Sequence, residues 1–379
     1  MRLVKKDMTI QKNPFDTTFS GIPPVYIETK AVHDCLFDVL TGSSSTSYFI
    51  TGVRGSGKTV MMNRIVKALL SKSKDELGYE FYHVPLLSNG DMIVSLFEQL
   101  QRRVRRFSSD FKSLTVGFPG LFNVSLNMNQ RKSVSLQSAI VEMMRILSKR
   151  NIHVLISIDE VSPSNELSIF GQLLNLIKSE QLAMTVIMTG LPEMIDKIKN
   201  MQNLTFLYRS QQIFTDTLDE AKMADAYVQH LGCSFGYAMK LAKASMGYPY
   251  AFQVLGSVTF KQINYRDNGI QPTWDSNLFK LVVNRTKDQL FSAAYTKLYT
   301  ELPHNEQVYL SNVKSGQHLT EMANEMHWST ALTGRYRKIL LQRRLIKPVN
   351  YGVVDFALPY FGEYIEKTKD ENSLYFLGE

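Results

Sequence analysis

Two stretches of the chain place reactive side chains at spacings that suit one chemistry. The first is Gly52-Val53-Arg54-Gly55-Ser56-Gly57-Lys58-Thr59, followed by Val60. Glycines at this spacing let consecutive backbone N–H groups close around a phosphate chain. The lysine ammonium suits the β- and γ-phosphates, and the threonine hydroxyl suits Mg²⁺. Tyr48-Phe49-Ile50-Thr51 before it reads as a short apolar strand. Val60, Met61, Ile65, Val66 and Leu69 after it fall at helical spacing. A strand, a glycine-rich turn and a helix form the context such a loop requires, and the helix adds its positive N-terminal end. The expectation is therefore a site for the triphosphate of ATP with Mg²⁺, spread over Gly52 to Val60.

The second stretch is Val154-Leu155-Ile156-Ser157-Ile158-Asp159-Glu160. An apolar run without alternation suits a strand buried on both faces, and this one ends in two carboxylates. Asp159 is expected to hold Mg²⁺, directly or through water. Glu160 is expected to orient and polarise the attacking water. A third strand, Thr185-Val186-Ile187-Met188, ends at Thr189-Gly190-Leu191-Pro192. Ligands of parallel sheets lie beyond the carboxyl ends of strands, so Thr189 is expected to reach the water or the γ-phosphate.

The elements that must hold these groups alternate. Helices are expected over 31–40, 92–104 and 137–148, and strands over 79–86, 154–158, 184–188 and 212–217. Such alternation predicts an α/β domain with a parallel sheet and crossover helices. Lys112 to Met128, with Gly117-Phe118-Pro119-Gly120, reads as a hairpin insertion. Arg102, Arg103, Arg105 and Arg106 read either as a solvated helix face or as a second phosphate-contacting patch. Beyond Leu218 the strand signal fades, and helices are expected over 219–231, 234–246 and 251–262. The implied division is an arm (1–30), a phosphate-loop α/β domain (31–217), a helical lid (218–285) and a third module (291–379).

The chain has 379 residues, 44% apolar and 21% charged, as a folded chain of two or three domains requires. Its net charge of +8 favours polyanionic partners. Two cysteines make a disulfide framework or a cysteine zinc site improbable. No apolar run is long enough for a bilayer, and the basic, polar start has no apolar signal core. A cytoplasmic protein without a membrane partner is expected.

Together, Gly52–Thr59, Asp159-Glu160, Thr189-Gly190-Leu191-Pro192 and Gly247-Tyr248-Pro249 resemble the AAA+ ATPases, in the branch near the origin-recognition initiators and the signal-transduction (STAND) ATPases. The resemblance covers roughly residues 14–260. It implies that Thr189 is the polar sensor. It implies that Arg209, in Leu207-Tyr208-Arg209-Ser210, is an arginine finger acting across a homo-oligomer. It implies that Pro249 packs on adenine. Initiators carry an arginine in the helix after Gly247, whereas this chain has Pro249-Tyr250-Ala251-Phe252-Gln253. The Gly-Arg pair common near the adenine pocket is also missing, leaving Phe15, Pro24 or Tyr26 to cover the base.

The third module reads as a winged helix, with helices over 306–312, 319–325 and 330–343. A hairpin follows, 345–349 and 353–357 across Asn350-Tyr351-Gly352. The third helix of such a module normally enters the major groove. Arg335, Arg337, Lys338, Arg343, Arg344 and Lys347 cluster there, and no acid lies between Glu325 and Asp355. The expectation is an ATP-hydrolysing switch that grips double-stranded DNA through this module. The alternative is a STAND-like signalling or defence ATPase whose winged helix meets a partner protein or inhibits its own chain.

Overall fold

The computed structural model describes residues 12–18, 21–42, 45–118, 133–199, 210–264 and 273–376. The chain divides into two compact units. One comprises residues 28–52 and 58–216; the other comprises 1–27, 53–57 and 217–379.

The first unit is built on five parallel strands: β1 (Ser45–Thr51), β2 (Glu80–Leu87), β3 (Ile152–Asp159), β4 (Met184–Gly190) and β5 (Gln211–Phe214). Their order is β2-β3-β4-β1-β5. β4 is buried along its whole length, and β3 everywhere but its last residue. That is why neither shows alternation in sequence. The alternation is present but hidden, because apolar residues serve both faces. Val154, Ile156 and Ile158 join a core with Val186, Met188 and the helices α4 (Met92–Val104), α6 (Ser133–Lys149) and α7 (Asn165–Ser179). Leu155 and Ile187 point the other way, to α1 (Lys30–Thr41) and α2 (Lys58–Leu70), a core on which Leu77 of the short α3 (Lys74–Leu77) also packs. Side chains fix the helix starts: the Asp91 carboxylate accepts from the Val94 N–H at 2.9 Å, and Ser164 Oγ from the Leu167 N–H at 3.1 Å.

The expected hairpin over 112–128 is corrected in its first part. Ser108–Gly117 is a helix, α5. Leu114 is buried among residues of α4 and α6, and Asp110 in the first turn pairs with Arg150 at 2.8 Å. One apolar anchor and one ion pair to a neighbouring element outweigh a short alternating pattern, as tertiary contacts often do for marginal propensities. Residues 119–132 lie outside the described residues.

In the second unit the helices Glu220–Leu231, Phe235–Ser245 and Pro249–Asn264 are followed by Ser276–Leu290, a π-turn Phe291–Tyr295 and Thr296–Thr300. The helix Ser276–Leu290 is capped by Asp275, whose carboxylate accepts from the Leu278 N–H at 2.8 Å. The arm docks on Pro249–Asn264. Phe15 packs edge-on against Phe252, and Asn13 Nδ2 donates to Ser257 Oγ at 2.9 Å. Phe15 is only 3% exposed, so its ring is spent on this core instead of covering a base.

A winged helix completes this unit. Its helices are His304–Ser311, Leu319–Glu325 and Thr330–Gln342, and its antiparallel wing is β6 (Ile346–Asn350) with β7 (Val353–Phe356). Gly352, at φ +74°, makes the turn between the strands. A last helix, Phe361–Phe376, was not expected from sequence; its Phe361 and Ile365 are buried in the same core as Tyr295. No helix among the described residues is long and apolar enough to cross a membrane.

Candidate functional site

β1 runs straight into the glycine-rich loop, and α2 begins at Lys58 directly after it. Gly55 (φ +76°) and Gly57 (φ +84°) both take the left-handed conformation that other residues adopt at a cost. The Ser56 N–H closes the loop on the Val53 carbonyl at 3.2 Å. Gly52, Val53, Ser56 and Lys58 are buried, whereas Arg54, Gly55, Gly57, Thr59 and Val60 are half-buried. Lys58, a buried residue, donates from Nζ to the Gly52 carbonyl at 3.0 Å, which holds its ammonium at the end of β1.

Within the sheet unit, three elements meet on one carboxylate. Thr59 Oγ1 donates to Asp159 Oδ2 at 3.0 Å, and the buried Thr189 hydroxyl donates to Asp159 Oδ1. The register explains this meeting. Ile158 of β3 lies beside Met188 of β4, so the next residues, Asp159 and Thr189, emerge together at the carboxyl ends. The Glu160 N–H donates to Thr189 Oγ1 at 3.0 Å and to Asp159 Oδ1 at 3.2 Å. Glu160 itself sits at φ +51°, with its side chain exposed. That conformation costs a non-glycine residue about 1 kcal/mol, and here two hydrogen bonds from its N–H hold it in place. Such local strain concentrates at functional sites.

In the other unit, Pro249 opens its helix beside the loop: a Cβ on Gly57 would lie 3.8 Å from Pro249 Cβ. Tyr248, which sequence reasoning passed over, donates its hydroxyl to the Arg54 carbonyl at 2.6 Å. Its position between Gly247 and Pro249 was the only available signal. Arg209 lies outside the described residues.

The six basic residues of the winged helix do not stand alike. Arg335, Lys338 and Lys347 are exposed, while Arg337 and Arg344 are half-buried. Arg343 pairs at 3.2 Å with Glu306, an acid only 4% exposed. Its charge is therefore largely compensated within the module. Glu306 lies 37 residues upstream and carries no sequence mark of burial.

The sheet order, the strand–loop–helix at its centre and the helical and winged-helix elements together define a phosphate-loop fold of the AAA+ type. Among solved structures the chain is similar to the ORC2 protein of Aeropyrum pernix in its ADPNP–ADP complexes, with a TM-score of 0.60 and 12% identity over 94% of this chain and 98% of that one. The ADP form of the same protein gives a TM-score of 0.51 at 12% identity, over 93% and 96% of the two chains. A family model described as a domain of unknown function (DUF8462) matches residues 292–365, from the π-turn into the first turn of the last helix. No curated protein matches the sequence.

Proposed function

We propose that this chain binds ATP with Mg²⁺ and hydrolyses it as a switch. The observation that carries the proposal is the convergence of Thr59, Thr189 and the Glu160 N–H on the Asp159 carboxylate. Oxygen ligands only, one carboxylate and one hydroxyl 3.0 Å apart, suit a hard divalent cation. Thr59 and Asp159 would hold Mg²⁺, which supplies charge neutralisation on the phosphates. The backbone of Gly52 to Gly57 with Lys58 and Val60 would bind the polyphosphate, and Pro249 the adenine. Glu160 orients the attacking water, Thr189 senses the γ-phosphate, and Arg209 serves a neighbouring copy in a homo-oligomer. The ORC2 protein of similar fold was solved with ADPNP and ADP, which supports a nucleotide as the ligand.

The winged helix would then contact double-stranded DNA. Of its basic cluster Arg335, Lys338 and Lys347 are exposed, Arg337 and Arg344 are half-buried, and Arg343 is paired with Glu306. The modular division proposed with this reading is an arm (1–30), a phosphate-loop domain (31–217), a helical lid (218–285) and a winged helix (291–379). A cytoplasmic location accords with two free, buried cysteines. One observation favours a second reading, in which the winged helix meets protein. Its core is continuous with that of the lid helices, as a docked, self-inhibiting module would have it.

The deciding experiment is ATP turnover with and without duplex DNA, for the parent and Glu160→Gln. The variant is expected to bind ATP and hydrolyse it at least about a hundredfold more slowly, the usual scale for a lost general base. Parental turnover by the variant would refute the role given to Glu160. Oligomerisation on ATP without any effect of DNA would favour the second reading.

A further inference from the structure

We propose that Tyr248 is a positioning residue for the phosphate loop: its hydroxyl holds the Arg54 carbonyl and thereby aims the Gly55 N–H at the phosphates. The inference rests on the nucleotide-binding reading of the loop and adds a residue to it.

A peptide group is planar and trans, so the carbonyl of Arg54 and the N–H of Gly55 belong to one rigid unit and point in opposite directions. Fixing the carbonyl therefore fixes the amide. The Tyr248 hydroxyl donates to that carbonyl at 2.6 Å. The phenol is 4% exposed, and burial pushes its pKa well up, so it remains a donor at any working pH. Gly55 is shaped around it: any Cβ there would lie 2.1 Å from the Tyr248 hydroxyl. Glycine at that position is thus required twice, once by its φ of +76° and once by the ring.

The tyrosine is itself held. Met246 and Gly247 form a left-handed turn at φ +51° and +72°. A Cβ on Gly247 would meet Thr217 at 2.7 Å, and the Gly247 carbonyl accepts from the Leu218 N–H at 2.8 Å. The Tyr248 N–H donates to the Ser245 carbonyl at 2.9 Å, and the Tyr250 ring stands edge-on at 6.4 Å. A loop of glycines has many conformations to lose on binding an anion. A hydroxyl on a rigid turn removes part of that cost beforehand, as preorganisation does in general.

The test compares Tyr248→Phe with Tyr227→Phe in the full chain. Tyr227 also buries a hydroxyl on a backbone carbonyl, that of Phe252 at 2.8 Å, but has no part in the loop. Binding of ATP and of inorganic tripolyphosphate is measured by calorimetry, and amide exchange by mass spectrometry on peptides covering the loop. Tyr248→Phe is expected to weaken both ligands about five- to tenfold, the worth of one net hydrogen bond. Loop amides should exchange faster in the free protein. Tyr227→Phe should leave binding within about twofold of the parent, because its lost bond lies elsewhere. Parental affinity and parental loop exchange in Tyr248→Phe would overturn the inference, as would an equal affinity loss in both variants. Lys58→Ala separates the two levels. If it abolishes binding while Tyr248→Phe does not change it, the inference fails and the site stands. If Lys58→Ala binds like the parent, the site itself is wrong. Should Tyr248→Phe fold poorly, loop exchange in the free parent decides: loop amides already protected without ligand support the tether, and loop amides that exchange as fast as an unstructured segment overturn it.

Discussion

Thr59, Thr189 and the Glu160 N–H all donate toward Asp159, so one carboxylate organises the ends of three elements. Asp159→Asn keeps the shape but replaces one acceptor oxygen by a donor, turning an attraction into a clash of donors. It is expected to abolish Mg²⁺-dependent tightening of ATP binding, which titration with and without Mg²⁺ would show. A second residue-scale prediction concerns acid. Burial lowers the pKa of His153 to about 4, and its Nε2 lies 2.9 Å from Thr185 Oγ1. The unfolded chain binds that proton near pH 6.5, and the native state only near 4. Between these values the unfolded state holds more protons, so stability falls as pH falls. Over the full window the loss reaches about 3 kcal/mol. Urea midpoints at pH 7 and 4.5 should show it, and His153→Gln should flatten the slope. His83, half-buried and also lowered by desolvation, leaves a residual dependence.

At the scale of elements, the helices with capping residues were the most legible. Leu319–Glu325 falls where the pattern put it, and Ser329 caps Thr330–Gln342 through the Leu332 N–H at 3.2 Å. Ser329→Ala is expected to cost about 1 kcal/mol, measurable by chemical denaturation, without changing the fold. The phosphate-loop side of the candidate site was legible because it is local: strand, loop and helix are consecutive, and Asp159 ends a mostly apolar strand without alternation. What escaped was set by distant partners. Ser108–Gly117 is helical because Arg150 and the α4–α6 core meet it. Tyr248 matters because a carbonyl 194 residues earlier lies over it. Arg343 reads as a free cation until the buried Glu306 is placed beside it. No window of neighbouring residues contains those facts.

For the whole molecule, a net charge of +8 suggests more phosphate contacts than the winged helix exposes. With Arg335, Lys338 and Lys347 as the exposed cations of the basic cluster, about three phosphates would be neutralised. The slope of log K against log salt would then be near −2.7, instead of the steeper value that six would give. Filter binding across a salt series measures it, and Lys347→Ala should remove roughly one unit of slope while Arg343→Ala should destabilise the module instead. The long helix that leads into this module holds one residue more than α-helical winding needs. Its π-turn leaves Ser292 and Ala293 exposed while Leu290 and Tyr295 are fully buried, five positions apart. Deleting Ser292 would bring that pair to a spacing of four, the ordinary repeat of one helical face, with the downstream register intact. A lineage could shed a residue at this spot and keep every downstream side chain facing as before, whereas the same loss a turn earlier or later would rotate the remainder of the helix off its packing.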